Sequence, residues 1–129
     1  MSRITVKRRL LGLCTKCGKV PPAPDKERCE NCSRSELIRL RDERKRLRNE
    51  VISHYNPDRK CVCCGESEIR FLTIDHINGG GNKDRKSVNH GGTSFLRYLK
   101  KNNYPDGFQV LCWNCNLGRA HYGVCPHKM

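Results

Sequence analysis

Ten cysteines are the residues best suited to do chemistry in this chain, and eight of them fall into Cys-x-x-Cys pairs. This spacing is typical of zinc knuckles, in which a tight turn brings two thiolates to one ion. The chain starts without an apolar run suited to secretion, so we expect a reducing compartment in which thiols bind metal. The pairs predict two structural Zn²⁺ sites, one held by Cys14, Cys17, Cys29 and Cys32 and the other by Cys61, Cys64, Cys112 and Cys115.

Three further residues of ligand type are expected to stay outside these sites. Cys63 lies within the Cys61-Val-Cys-Cys64 motif, although a register that pairs it with Cys61 stays open. Cys125 and His127 follow the last pair and are expected to pack or to remain free.

A second set of polar residues lies between and just after the later cysteine pairs. Asp75 and His76 precede a glycine-rich turn, and Asn116 directly follows the last Cys-x-x-Cys pair. An imidazole can act as a base at neutral pH, and a carboxylate with an amide oxygen leaves most positions on Mg²⁺ open. A zinc ion closed by four thiolates has no open position, so this chemistry needs a second, exchangeable ion.

In this order the motifs resemble the HNH (ββα-metal) endonuclease family, especially small phage-type members and the phage endonuclease that resolves branched DNA. The resemblance covers about residues 60–120. It implies that His76 is the general base and that Asp75 and Asn116 bind one catalytic divalent cation, Mg²⁺ or Mn²⁺. It also assigns the four later paired cysteines to structural zinc.

One departure from the family concerns the residue that orients His76. Relatives often carry an asparagine where this chain has Gly107, so Asn78, Asn82, Asn89 and a main-chain carbonyl stay open as substitutes. Other candidates near the site are Arg119 as a phosphate ligand and His90 and His121 as lining residues, with helix capping as the alternative for His121.

The elements that must position these residues predict a small, zinc-stabilised α+β fold. We expect a basic zinc ribbon-like module with a mobile arm over residues 1–33, a basic linker helix over 34–56, and a ββα-metal domain over 57–129. The helix is expected from about Ser33, as its N-cap, to Tyr55. Strands are predicted near 69–77 and 108–111, and helices over 94–101 and from about 116.

The predicted linker helix carries a narrow apolar stripe of Leu37, Leu40, Leu47 and Val51. We expect this stripe to pack on the C-terminal domain, with a short dimerising coil as the alternative. His54 lies on the same seam and is expected to be structural.

The formal net charge is +13, and residues 1–60 carry +9 of it, which predicts attraction to a polyanion such as nucleic acid. A membrane role lacks an apolar anchor. The residues expected to contact nucleic acid are Arg8, Arg9, Lys16, Lys19, Arg39, Arg41, Lys45, Arg46, Arg48 and Arg119.

Charge and resemblance together predict an endonuclease that nicks double-stranded or branched DNA as a monomer or weak dimer. We expect it in the cytoplasm, near the nucleoid or in a phage-infected host, and the resemblance implies a homing or mobile-element role. The alternative is a non-catalytic zinc protein that binds RNA or the ribosome.

Overall fold

The computed structural model describes residues 1–81 and 92–129, and across them the chain is of the small α+β class. It forms four α-helices and one antiparallel two-stranded sheet there, and no helix of the described residues is long and apolar enough to cross a membrane. The elements are α1 (Arg3–Leu10), α2 (Glu30–Tyr55), β1 (Leu72–His76), α3 (Thr93–Lys101), β2 (Phe108–Cys112) and α4 (Trp113–Tyr122), with 3₁₀ turns at Ile69–Phe71 and Pro126–Lys128.

Two compact units make up the chain, an N-terminal unit (Met1–Glu43) and a C-terminal unit (Arg44–Met129). The boundary falls within α2, so one continuous helix contributes to both units. The predicted boundaries lay at each end of that helix.

The basic N-terminal arm, which was predicted to be mobile, contains helix α1. Ser2 caps α1 by accepting a hydrogen bond from the backbone amide of Thr5 at 3.2 Å. Arg8 donates from Nη1 to the backbone carbonyls of Thr15 and Lys16, at 3.0 and 2.7 Å. These contacts attach the helix to the first cysteine motif within the same unit.

Helix α2 begins at Glu30, three residues before the predicted N-cap. The amide of Ser33 donates to the carbonyl of Cys29 at 3.0 Å, which places Ser33 inside the first turn rather than at a cap. The prediction failed because the second cysteine pair itself starts the helix. At the other end the helix stops at Tyr55, ahead of Pro57, as expected.

The apolar stripe of α2 is buried only in its second half. Leu47, Val51 and Ile52 are buried, and the prediction holds for the first two. Leu37 is 64% exposed, and it lies in the N-terminal unit, outside the core cluster that contains Leu47 and Val51. The core reaches α2 only from Leu47 onward.

The core of the C-terminal unit lies between α2, α3 and one face of the sheet. β1 pairs antiparallel with β2, with Leu72 opposite Cys112 and His76 opposite Phe108. The largest fully buried side chains are apolar ones from these elements: Ile52, Val51, Leu72, Leu99 and Val110. His54 stacks on Tyr104 with ring centroids 3.9 Å apart, which agrees with the structural role expected for it.

The burial of α2 gives a stability prediction with a matched control. Ile52 is 1% exposed and Ile38, on the same helix, is 52% exposed. Ile52→Ala should lower the free energy of unfolding by about 2–5 kcal/mol, because it removes buried methyl groups and leaves a cavity. Ile38→Ala should change it by less than about 0.5 kcal/mol. Chemical denaturation followed by fluorescence of the single tryptophan, Trp113, measures both, and equal effects would contradict the packing described.

Candidate metal centres and active site

Four thiols of the N-terminal unit converge on one point. Their sulfur atoms all lie within 4.8 Å of one another, and we call this set the N-terminal cluster: Cys14, Cys17, Cys29 and Cys32. The amide of Gly18 donates to the carbonyl of Cys14 at 2.8 Å, and Gly18 has φ +65°, a conformation that suits the tight turn of a knuckle. The four residues predicted from spacing are thus together and could hold a zinc ion.

Protonation in this cluster is uneven, as expected for thiols that share one site. The backbone amide of Cys17, aided by those of Cys29 and Lys16, lowers the pKa of the Cys14 thiol to about 5 despite its burial. A hydrogen bond with the Cys29 thiol, together with burial, raises the pKa of Cys32 to about 12. Four thiolates coexist at neutral pH only when a cation replaces the protons, and Zn²⁺ has the charge and softness to do so.

A second four-cysteine set, the strand–helix cluster, joins the sheet to α4. Its members are also within 4.8 Å of one another and are those predicted: Cys61, Cys64, Cys112 and Cys115. The Sγ atoms of Cys64 and Cys112 are 3.7 Å apart. Tetrahedral zinc with Zn–S bonds of about 2.3 Å needs about 3.8 Å between sulfurs, so the donor set fits the ion. Cys112 is also the N-cap of α4, since its Sγ accepts from the amide of Cys115 at 3.4 Å.

A third set of ligand-type side chains includes the three residues that were expected to take no part in metal binding. The ligand atoms of four residues all lie within 4.8 Å of one another, and we call this set the C-terminal cluster: Cys63, Cys115, Cys125 and His127. Cys115 therefore belongs to two clusters. Burial, and then the neighbouring thiols of Cys112 and Cys125, raise the pKa of the Cys115 thiol.

The polar residues predicted for catalysis line one cavity of the C-terminal unit. This cavity has a volume of about 770 Å³, and Asp75, His76 and Asn116 all contribute to its wall. β1 supplies the first two, and the first turn of α4 supplies the third, one residue after Cys115. The sheet and the cap on α4 thus bring together side chains some forty positions apart in sequence.

Asp75 is held through one of its two carboxylate oxygens. Its Oδ2 accepts from Nε2 of Gln109 at 2.9 Å and from the guanidinium of Arg119, in a partly buried ion pair. Among the described residues, none hydrogen-bonds to Oδ1. The carboxylate is therefore fixed in place while one oxygen is left for another ligand.

Arg119 links the end of β1 to α4. Besides its ion pair with Asp75, its guanidinium donates to the backbone carbonyls of His76, at 3.2 Å, and of Ile77. A guanidinium has five donor hydrogens, so some stay available after these contacts. These contacts hold the strand end against α4.

Aromatic rings position the imidazole of His76. It stacks on Phe95 with centroids 5.4 Å apart and meets Phe108 edge-on at 4.8 Å. On a third side Gly81 approaches so closely that an added Cβ would lie 3.2 Å from Nδ1 of His76. Gly107, at the position where relatives often have asparagine, instead accepts from the amide of Ile77 at 3.0 Å and closes the end of the sheet.

Some predicted lining residues are in other places. His121 is exposed and does not line the cavity, because it lies on the outer face of α4. Asn78 does line it. The candidates His90, Asn82 and Asn89 lie outside the described residues.

The residues predicted to bind nucleic acid differ in how far they are already engaged. Arg9 is paired with Glu27, and Arg39 with both Glu36 and Glu43, so these charges are partly neutralised. Arg48 donates to the carbonyl of Leu72 at 3.1 Å and lines the cavity, which places it at the candidate site. Five other residues that were predicted to bind nucleic acid are exposed: Lys16, Lys19, Arg41, Lys45 and Arg46.

Sequence reasoning missed the neighbours that hold the site. Gln109 lies directly opposite Asp75 in the sheet, which the register makes plain but the motif does not. Phe95 and Phe108 carry no signal of a role beyond the core. Cys125 and His127 did carry one, since a leftover thiol and imidazole two residues apart are ligand types near a known knuckle.

The zinc fit predicts a specific loss of metal. Cys17→Ser should reduce the zinc content of the purified chain by one ion, because a hydroxyl is a poor replacement for a thiolate. Thr15→Ser is the matched control, since serine keeps the hydroxyl that bonds the carbonyl of Glu27. Elemental analysis by mass spectrometry measures both, and unchanged zinc in Cys17→Ser would mean that the N-terminal cluster does not hold the ion.

Comparison of the chain with protein-family models, with curated proteins and with solved structures finds no match. The chemistry of the cavity therefore has to be inferred from its own side chains. Those side chains are a fixed carboxylate, a ring-packed imidazole and an amide, with two guanidinium groups beside them.

Proposed function

We propose that this chain is an HNH-type (ββα-metal) endonuclease that hydrolyses DNA phosphodiester bonds in the cavity beside β1 and α4. The observation that supports it is that Asp75, His76 and Asn116 all line this cavity. The motif order predicts that these three residues serve one site.

The proposed reaction is attack of water on the scissile phosphate. The imidazole of His76 accepts a proton from the attacking water as the new P–O bond forms. The bond from phosphorus to the leaving oxygen then breaks, and that oxygen takes up a proton from solvent. Phe95 and Phe108 limit the freedom of the ring, so its accepting nitrogen stays aligned with the water.

Asp75 and Asn116 are the proposed ligands of a divalent cation, Mg²⁺ or Mn²⁺. The Oδ1 atom of Asp75 and the side-chain oxygen of Asn116 are hard donors of the kind these ions prefer. When bound, such a cation would neutralise charge on the phosphoryl oxygens and stabilise the leaving oxygen. Two protein ligands leave the other positions for phosphate and water.

The substrate side of the proposal depends on charge. Arg48 and Arg119 place guanidinium groups on the cavity wall, where a phosphate would lie between them and the cation site. The exposed basic residues of α2 and the first cysteine module supply further phosphate contacts. One base and one cation site cut one strand, so nicking of double-stranded or branched DNA is the expected outcome.

One observation favours a second candidate, a zinc-dependent nucleic-acid binder without catalysis. The carboxylate of Asp75 already has a positive partner in Arg119. In such a protein this ion pair would serve only to fasten α4 to β1, and no divalent cation would be needed.

Activity on supercoiled plasmid separates the two candidates. His76→Ala should slow Mg²⁺-dependent nicking by about 10²- to 10⁴-fold, the usual contribution of a general base, and should leave DNA binding unchanged. His121→Ala is the control, because this histidine is exposed and outside the cavity wall. The readout is the rate of conversion to open circle with Mg²⁺ and with chelator.

Asp75→Asn tests the cation ligand without changing side-chain size. It should raise the Mg²⁺ concentration needed for half-maximal nicking, because an amide binds the ion more weakly than a carboxylate. Parental activity in both His76→Ala and Asp75→Asn would rule out this active site. No cleavage by any form, with tight DNA binding retained, would favour the non-catalytic candidate.

The exposed basic face of α2 gives a prediction about binding. Lys45→Gln with Arg46→Gln should weaken DNA affinity at low salt and should reduce the slope of log affinity against log salt by about 2, since each phosphate contact contributes about 0.9. Fluorescence anisotropy with a labelled duplex over a salt series measures this slope. A loss of equal size at every salt concentration would indicate damage to the fold instead of lost phosphate contacts.

A further inference from the structure

We propose that the C-terminal unit holds two zinc ions in one cluster, with the thiolate of Cys115 as the bridge between them. One ion takes the strand–helix cluster and the other takes the C-terminal cluster. This inference is independent of the proposed nuclease function, since it concerns ligands that the reaction does not use.

The distances in the C-terminal cluster suit a tetrahedral zinc ion. Nδ1 of His127 lies 3.3 Å from Sγ of Cys115 and 3.4 Å from Sγ of Cys125. Bonds of about 2.3 Å to sulfur and about 2.0 Å to nitrogen place such atoms about 3.6 Å apart around one ion. With Cys63 also within 4.8 Å, three thiols and an imidazole surround one position.

The number of ligands matches a bridged pair. The two clusters together contain six cysteines and one histidine, and they share a single residue, Cys115. Two separate tetrahedral ions need eight ligand atoms, whereas two ions that share one thiolate need seven. A single tetrahedral ion would use only four of these seven residues. The other three ligand-type side chains would then lie close to the ion without binding it.

Burial is consistent with a shared ligand at the centre. Cys115 is 0% exposed, the position expected of a sulfur with an ion on each side. Cys125 is also buried, although no residue of the Pro126–Lys128 turn beside it is. Cys125 and Pro126 pack on the unit here, and a metal bond would also hold His127, whose turn has no buried residue, against α4.

A glycine on α4 permits the return of the chain to this cluster. A Cβ added at Gly118 would lie 2.7 Å from Cδ of Pro126, a contact that real side chains do not make. Gly118 is three residues after Cys115, so it lies on the same side of the helix. Cys125 and His127 reach the bridging sulfur because the proline packs where a side chain would be.

The second ion would fasten the part of α4 that carries the active-site residues. Asn116 directly follows the bridging Cys115, and Arg119 lies one turn further along the same helix. Attachment of the C-terminal turn to this helix would restrain its rotation against β1.

Native mass spectrometry of the full chain counts the ions. Protein expressed with added zinc and purified with reductant and without chelator should carry three zinc ions, one in the N-terminal unit and two in the C-terminal unit. Exchange with ¹¹³Cd should give three ¹¹³Cd resonances, two of which split each other through the shared sulfur.

Variants locate the second ion of the cluster. Cys125→Ser with His127→Ala should lower the count from three to two, and Gly118→Ala should lower it as well, although no ligand is changed. His121→Ala removes an imidazole of the same region that contacts neither cluster, and it should keep all three ions. Far-UV circular dichroism checks that each variant stays folded.

Several outcomes would overturn the proposal. A parental count of two zinc ions would exclude the second ion, as would a mass deficit that shows a Cys63–Cys125 disulfide. Three ions whose ¹¹³Cd resonances show no mutual splitting would exclude the bridge. A count that stays at three in the Cys125→Ser, His127→Ala variant would place the extra ion elsewhere.

Discussion

Sulfur ligands meet where β2 ends and α4 begins, and this junction constrains the rest of the C-terminal unit. Cys112 is at once the last residue of the strand and the N-cap of the helix, and Cys115 lies in its first turn. The distances from their sulfur atoms to those of Cys61 and Cys64 fit one zinc ion. Only 36% of the chain is hydrophobic, so apolar burial alone gives limited compensation for lost chain entropy. Bonds from these thiolates to zinc would add the stability that the core lacks.

The orientation of α4 determines whether Asn116 and Arg119 line the cavity. Asn116 and Arg119 approach β1 because the helix start is fixed by the cysteines beside them. Arg119 then uses its guanidinium to hold Asp75, which fixes the carboxylate but also competes with a cation for its charge. A cation held by such a carboxylate binds weakly by itself and gains affinity when a phosphate adds oxygen ligands. Under the proposed function this couples metal binding to substrate binding.

The sequence alone was enough for the parts governed by local spacing. Cys-x-x-Cys pairs need only a tight turn, so both four-cysteine sets were predicted residue by residue. The helix over α2 and the two strands followed from composition and from β-branched runs. The N-cap of α2 was missed because Ser33 fits a capping box by pattern, while the knuckle before it starts the helix through Cys29.

Other features depend on how the chain returns in space. Cys125 and His127 reach Cys115 only because Gly118 makes room for Pro126, and no local pattern records that contact. Gln109 supports Asp75 because of the sheet register, which one residue of slippage would change. The aromatic contacts of His76 likewise come from two separate elements, α3 and β2. Such contacts become visible only when the fold is known.

Charge explains why a bridged cluster is compatible with attraction to a polyanion. A zinc ion with four thiolates carries −2, so two such sites lower the formal +13 of the chain to about +9. Ionising Cys63 and Cys125 without another cation would add two negative charges and lower the net charge to about +7. A second zinc ion cancels those two thiolates, since six thiolates with two ions again carry about −2. The chain would thus gain three metal–thiolate bonds, one metal–imidazole bond and a fastened C-terminus while its net charge stays the same.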